Sequence, residues 1–179
     1  MKKAFLFLII IIFIASQSNA GKQGQEKIDS LFSVLKTAKE DTSKVKILID
    51  LSFELSRNKP DTAIYFANAA LALASKLKYE LGIAHAYNAL GHGFMNLGKY
   101  KEALKNFNDV LTLCDELLAS ATTAYKLKIL KPKGDAYNGV GIVNFSQGDY
   151  HEGLKNYFAA LKIYEELGDI HMLSENAKN

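Results

Sequence analysis

AHAYNALGHGFMNLGKYKEALKNFNDVLTLCDELL, residues 84–118, is the stretch whose reading decides the fold. At helical pitch Ala84, Tyr87, Leu90, Gly91 and Phe94 fall on one face. After Gly98 a second face is built by Tyr100, Ala103, Leu104, Phe107, Val110, Leu111 and Cys114. Two amphipathic helices joined at a glycine predict an antiparallel hairpin. Its outer sides keep an apolar surface that only a neighbouring hairpin closes.

The chain supplies such neighbours. From Tyr100 the apolar positions stand at offsets 0, 3, 4, 7, 10, 11 and 14, and the same offsets run from Pro60 through Ala63, Ile64, Ala67, Ala70 and Leu71 to Ala74. They recur from Tyr150 through Gly153, Leu154, Tyr157, Ala160 and Leu161 to Tyr164, where Asp149 and Glu152 have capping-box spacing. The preceding helices match as AYNALG at 86–91 and AYNGVG at 136–141, each followed by a turn glycine, Gly98 or Gly148. Three copies of one pattern are the mark of a repeat architecture. The predicted fold is all-α, a solenoid of antiparallel helix hairpins at about 41–77, 79–118 and 134–167, with an insertion at 119–133.

Tyr87, Leu90, Gly91, Phe94, Gly98, Tyr100, Ala103, Phe107 and Val110 resemble the tetratricopeptide repeat (TPR), in which aromatic and small residues at these positions hold two antiparallel helices together. In the third copy Tyr137, Val140, Gly141, Gly148, Tyr150, Tyr157 and Ala160 fit, while Asn144 replaces an aromatic and Gly153 an alanine. In the first, Leu51, Ala63 and Ala70 fit, Ser52 stands in place of a glycine, and the turn glycine is missing. The resemblance covers residues 41 to about 167. It implies a right-handed superhelix whose first helices line a concave groove.

Before the repeats, Lys2 and Lys3, the apolar run Ala4–Ala15 and Ser18-Asn19-Ala20 have the three parts of a secretory signal, so residues 1–20 are expected to be a signal peptide cleaved after Ala20. The apolar run is short of the roughly 20 residues that span a bilayer. The expected localisation is export, to the periplasm. Within 21–40, Ile28, Leu31, Phe32 and Leu35 mark a capping helix over the open end of the array. Asp41-Thr42-Ser43 restarts the chain, and Pro60 suits the first position of the next helix.

In the insertion, Ala121, Ala124 and Tyr125 continue the face of the preceding helix and are expected to prolong it, with Pro132 breaking it. Lys126, Lys128, Lys131 and Lys133 make the segment basic. Contact with anionic lipid or peptidoglycan is one reading; a solvated helix extension is favoured, because four lysines without apolar anchors bind weakly. Residues 168–179 read as the truncated start of a further helix. Either the chain is part of a longer protein, whose missing C-terminal segment would supply any membrane contact, or a partner covers the apolar end, which is open to self-association.

Composition narrows the function classes. Setting aside Lys2 and Lys3 takes the formal charge from +3 to +1, and the lysines are interspersed with acids, so no nucleic-acid partner is expected. The single Cys114 excludes an intrachain disulfide and reads as a small core residue. His85 and His92 share a face seven residues apart without the glutamate of a zinc-binding motif, and Gly134, Gly139 and Gly141 lack the lysine of a phosphate loop. No catalytic residue, metal site or cofactor is expected, and the chain is read as not an enzyme.

What remains is the groove. If the helix at 84–97 packs through Tyr87, Leu90, Gly91 and Phe94, its other face presents His85, Asn88, His92 and Asn96, and the third copy presents Asp135, Asn138, Ile142 and Phe145. Asn88 and Asn138 are equivalent positions. Amides repeated along a groove can hydrogen-bond an extended protein or peptide ligand through its backbone; the plainer reading is that asparagine is tolerated on a solvated face. The repeats and leader together resemble the N-terminal sensor regions of Bacteroidetes-type signalling proteins. That resemblance implies a non-enzymatic protein-interaction module, sensory or scaffolding; a self-contained periplasmic adaptor that assembles envelope complexes is the alternative.

Overall fold

Amphipathic runs of this length fold as helices only when their apolar faces meet a partner. In the computed structural model, which describes residues 24–176 and their side chains as far as Gly168, seven helices do so and no strand is present among the described residues. They are α1 (24–35), α2 (Thr42–Leu55), α3 (Pro60–Lys76), α4 (Glu80–Asn96), α5 (Tyr100–Leu118), α6 (Thr123–Ser146) and α7 (Tyr150–Asn176). Helices α2–α3, α4–α5 and α6–α7 are the three hairpins. Successive hairpins stack, with α4 packed on both α2 and α6. The expected leader and its cleavage site lie outside the described residues.

Local signals set the helix ends. The Asp41 carboxylate accepts hydrogen bonds from the backbone N–H groups of Ser43 and Lys44 at 2.8 and 3.2 Å, capping α2. Pro60 opens α3, and the Asp149 carboxylate accepts from the Glu152 N–H at 3.2 Å to start α7. Helix α1 closes the first end of the stack: Ile28, Leu31 and Leu35 pack on the core of Val45, Leu48, Leu51 and Phe66, and the rings of Phe32 and Phe66 meet edge-to-face at 5.7 Å.

Inside the stack, Phe107 of α5 is fully buried. A methyl group at Gly91 of α4 would stand 2.5 Å from its ring, and one at Gly139 of α6 would collide with the same ring. One aromatic thus fills the slot between its own first helix and the next. In the third hairpin Gly141 and Gly153 bring α6 and α7 together, with Phe145 occupying the space where an alanine methyl would project from position 153. The expected core role of Cys114 fits its full burial, which pushes its thiol pKa up to about 12.

Three expectations are corrected. Helix α5 ends at Leu118, so Ala121, Ala124 and Tyr125 do not prolong it; the chain turns, and most of the insertion becomes the first half of α6. Pro132 does not break α6, which runs from Thr123 to Ser146. The carbonyl that the proline leaves without a donor is that of Lys128, an exposed residue, while the ring of Pro132 is buried. Gly168 does not begin a separate helix, because α7 continues through it to Asn176. The basic insertion is also largely neutralised within the chain: Lys126 pairs with Glu166, Lys131 with Asp135 and Lys133 with Asp115.

The turns after α3, α4 and α6 share one geometry, a left-handed residue with a hydrogen bond from the next N–H back to the carbonyl five residues earlier, at 2.9 Å in each case. Gly98 and Gly148 take it at φ 71° and 84°, but after α3 the position is Lys78 at φ 53°. A side chain costs about 1 kcal/mol there. Replacing Lys78 by Gly should therefore raise unfolding stability by about 1 kcal/mol, and Gly98→Ala should lower it by about as much, both measured by urea denaturation.

Candidate functional site

The first helices of the hairpins turn the same side outward, and with α1 they enclose a concave space of about 1180 Å³. Gly24, Gln25 and Ile28 of α1 form one rim. The end of α2 and its turn contribute Phe53, Glu54, Ser56, Arg57 and Asn58; α4 contributes His92, Met95 and Asn96, and α6 contributes Asn138 and Ile142. The wall is mixed: aromatic and aliphatic patches from Phe53, Met95, Ile142 and Ile28 alternate with four amides and one guanidinium.

Helical stacking explains the placement. His92 lies one residue beyond Gly91 and is clamped between Phe53 and Phe107, its ring edge-to-face with each at 5.6 and 5.3 Å. Burial there lowers its pKa below the ordinary 6.5, a shift that the Asp135 carboxylate only partly opposes, so the ring is neutral at pH 7. Asn96 donates from its side-chain amide to the Ser56 carbonyl at 2.9 Å, which ties α4 to the α2–α3 turn and fixes the amide at the wall. Glu54 is engaged by Lys27 across the α1–α2 junction, whereas Arg57 has no salt-bridge partner among the described residues.

Of the eight residues expected to line a groove, His92, Asn96, Asn138 and Ile142 are brought together on this concavity. The other four have different surroundings. Asn88 is 1% exposed, and its amide donates to the Pro132 carbonyl at 2.8 Å, so it bolts α4 to α6 instead of facing a ligand. Its side-chain carbonyl oxygen has no hydrogen-bond partner among the described residues. Asn88 and Asn138 are therefore equivalent in sequence but not in setting: α6 covers Asn88, and Asn138 lines the concavity.

Phe145 turns into the third hairpin, against Tyr150 at 5.4 Å and Tyr157 at 5.3 Å. Asp135 accepts from the Tyr164 hydroxyl at 2.7 Å and from the Lys131 ammonium at 2.9 Å, linking α6 to α7; partial burial and the bond to Asp135 hold the hydroxyl protonated well above the usual tyrosine range. His85 is half-buried, and burial is the main cause of its lowered pKa. His85 and Asp135 are not among the residues lining the concavity.

Sequence reading missed the contribution of α2, above all Phe53, Arg57 and Asn58. In the first copy the turn lacks its glycine, and the residues found there instead, Ser56, Arg57 and Asn58, reach the wall. No group of three or more His, Cys, Asp or Glu side chains that could hold a metal is present among the described residues. No described helix is long and apolar enough to cross a membrane.

The difference between the two asparagines can be measured. Asn88→Asp puts an unpaired carboxylate against a carbonyl in a buried site and should cost about 3 kcal/mol or more, whereas Asn138→Asp at the open wall should cost less than about 1 kcal/mol. Equal losses in chemical denaturation would contradict the buried bolt.

The comparison with curated proteins finds no match. Residues 14–120, well over half of the chain, match the family model described as the SusR N-terminal TPR domain. That stretch includes α1 and the first two hairpins, and α6 and α7 repeat the same hairpin geometry beyond it. With its helix pairs stacked through glycine and aromatic contacts, the chain belongs to the SusR N-terminal TPR domain family, a family of helical repeats.

Proposed function

We propose that the chain is an exported protein-interaction module that receives an extended peptide segment in the concavity, and that it is the sensory or scaffolding N-terminal part of a bacterial signalling protein. TPR domains are typically non-enzymatic interaction modules, and the family membership supports that coarse reading. The observation that carries the finer one is the concave wall of about 1180 Å³, large enough for several peptide residues. Asn58, Asn96 and Asn138 offer donors and acceptors to a peptide backbone, and Phe53, Met95 and Ile142 offer apolar seats for alternate side chains. Arg57 favours an acidic group on the ligand. Export rests on the leader-like residues 1–20.

One expression experiment tests both parts. The full chain, produced in a bacterium, should be recovered from the envelope fraction with Gly21 as its first residue, and should select peptides from a random library. Asn138→Ala combined with Arg57→Ala should weaken the selected peptides by about tenfold or more, while Lys101→Ala on the second-helix side should change them less than about twofold. Peptides indifferent to the groove substitutions would remove the binding proposal; an unprocessed chain in the cytoplasm would remove export and leave the binding proposal standing.

A further inference from the structure

Leu51, Leu90 and Val140 hold the same place in the three hairpins, and two residues after each stand Phe53, His92 and Ile142. All three line the concavity. They form one row along its wall, one side chain from each first helix, and the row runs apolar, polar, apolar. An imidazole in the middle of such a row loses hydration when the concavity fills, so a ligand that covers it has to replace the lost hydrogen bond.

His92 is gripped by its neighbours and open at its nitrogens. Phe53 of α2 and Phe107 of α5 meet its ring edge-to-face at 5.6 and 5.3 Å, so two elements fix where the ring stands. The hydrogen bonds that α4 side chains make among the described residues are those of Asn88 and Asn96. The polar side-chain atoms sealed there without a partner belong to Ser52 and Asn88, and the nitrogens of His92 are not among them. They therefore reach open space, and the open space that His92 lines is the concavity.

The surroundings exclude a charged partner. Burial holds the proton off the imidazole although the Asp135 carboxylate favours it, so the same place disfavours a ligand ammonium. Asp135 is itself engaged by Lys131 and the Tyr164 hydroxyl. Its negative charge opposes a ligand carboxylate. We propose that His92 determines the specificity of the concavity by exchanging a hydrogen bond with an uncharged hydroxyl or amide side chain of the ligand, while Phe53 and Ile142 seat apolar side chains on either side. This inference rests on reading the concavity as a peptide site. A neutral imidazole has one donor and one acceptor nitrogen, which a hydroxyl or a carboxamide can match. Arg57, one helical turn after Phe53, reads a separate acidic group.

Peptides that the full chain selects from a random library at pH 7 should share a Ser, Thr, Asn or Gln between two apolar residues. Exchanging that central residue for Asp or Lys should weaken binding by about tenfold or more in isothermal titration calorimetry. Selection with His92→Leu should turn the central preference apolar and leave the flanking ones, whereas His92→Gln, which has a donor and an acceptor of its own, should keep the wild-type consensus. Circular dichroism checks that each variant is folded, and the wild-type consensus is a test that needs no variant. A charged or apolar central residue in that consensus, or a consensus unchanged in folded His92→Leu, would overturn this proposal and leave peptide binding standing. Selection of no peptide at all would remove both.

Discussion

The ring of Phe107 between Gly91 and Gly139 is the contact on which the stack depends. It lies on α5, yet it is seated in α4 and α6 at once, so the spacing between neighbouring first helices is set by the thickness of one aromatic ring. Side chains at either glycine would hold the helices apart. The fixed spacing makes the concave wall a continuous surface, and the edge of the same ring supports His92 at its base.

A second layer of polar contacts locks that geometry. Asn88 reaches the Pro132 carbonyl, Asn96 reaches the Ser56 carbonyl, and Asp135 collects the Tyr164 hydroxyl and the Lys131 ammonium. Each joins two helices at a point where a purely apolar contact would permit sliding. Two of these residues are asparagines on the same helix eight positions apart, and they do different work: Asn88 is sealed under α6, and Asn96 stands at the mouth of the concavity.

The hairpins were legible because their information is periodic. Gly91, Phe107 and the offsets from Pro60 and Tyr100 state which faces pack, and those positions are buried or half-buried, whereas of the offsets from Tyr150 only Gly153, Tyr157 and Ala160 are, with Tyr150, Leu154, Leu161 and Tyr164 exposed. Legibility ended where a residue's setting depends on the neighbouring hairpin. Nothing local in Asn88 reveals that α6 covers it, and Phe145 is one residue from the expected aromatic position, so a shift of about 100° around the helix moves it from the groove into the third hairpin. Pro132 has the local signature of a breaker, a missing N–H, but the carbonyl it leaves without a donor belongs to an exposed residue, Lys128, and its own ring is buried. The wall from α2 was missed because the first copy departs most from the repeat, and departures carry the site.

The claim that matters most is that ligands meet the first-helix face of the stack. Side-chain methyl NMR of the chain, titrated with a peptide that it binds, tests this directly. Resonances of Ile28, Met95 and Ile142 should shift with saturation while those of Leu104, Leu154 and Leu161 stay in place. Shifts confined to the leucines of α5 and α7, with Met95 and Ile142 unmoved, would contradict it.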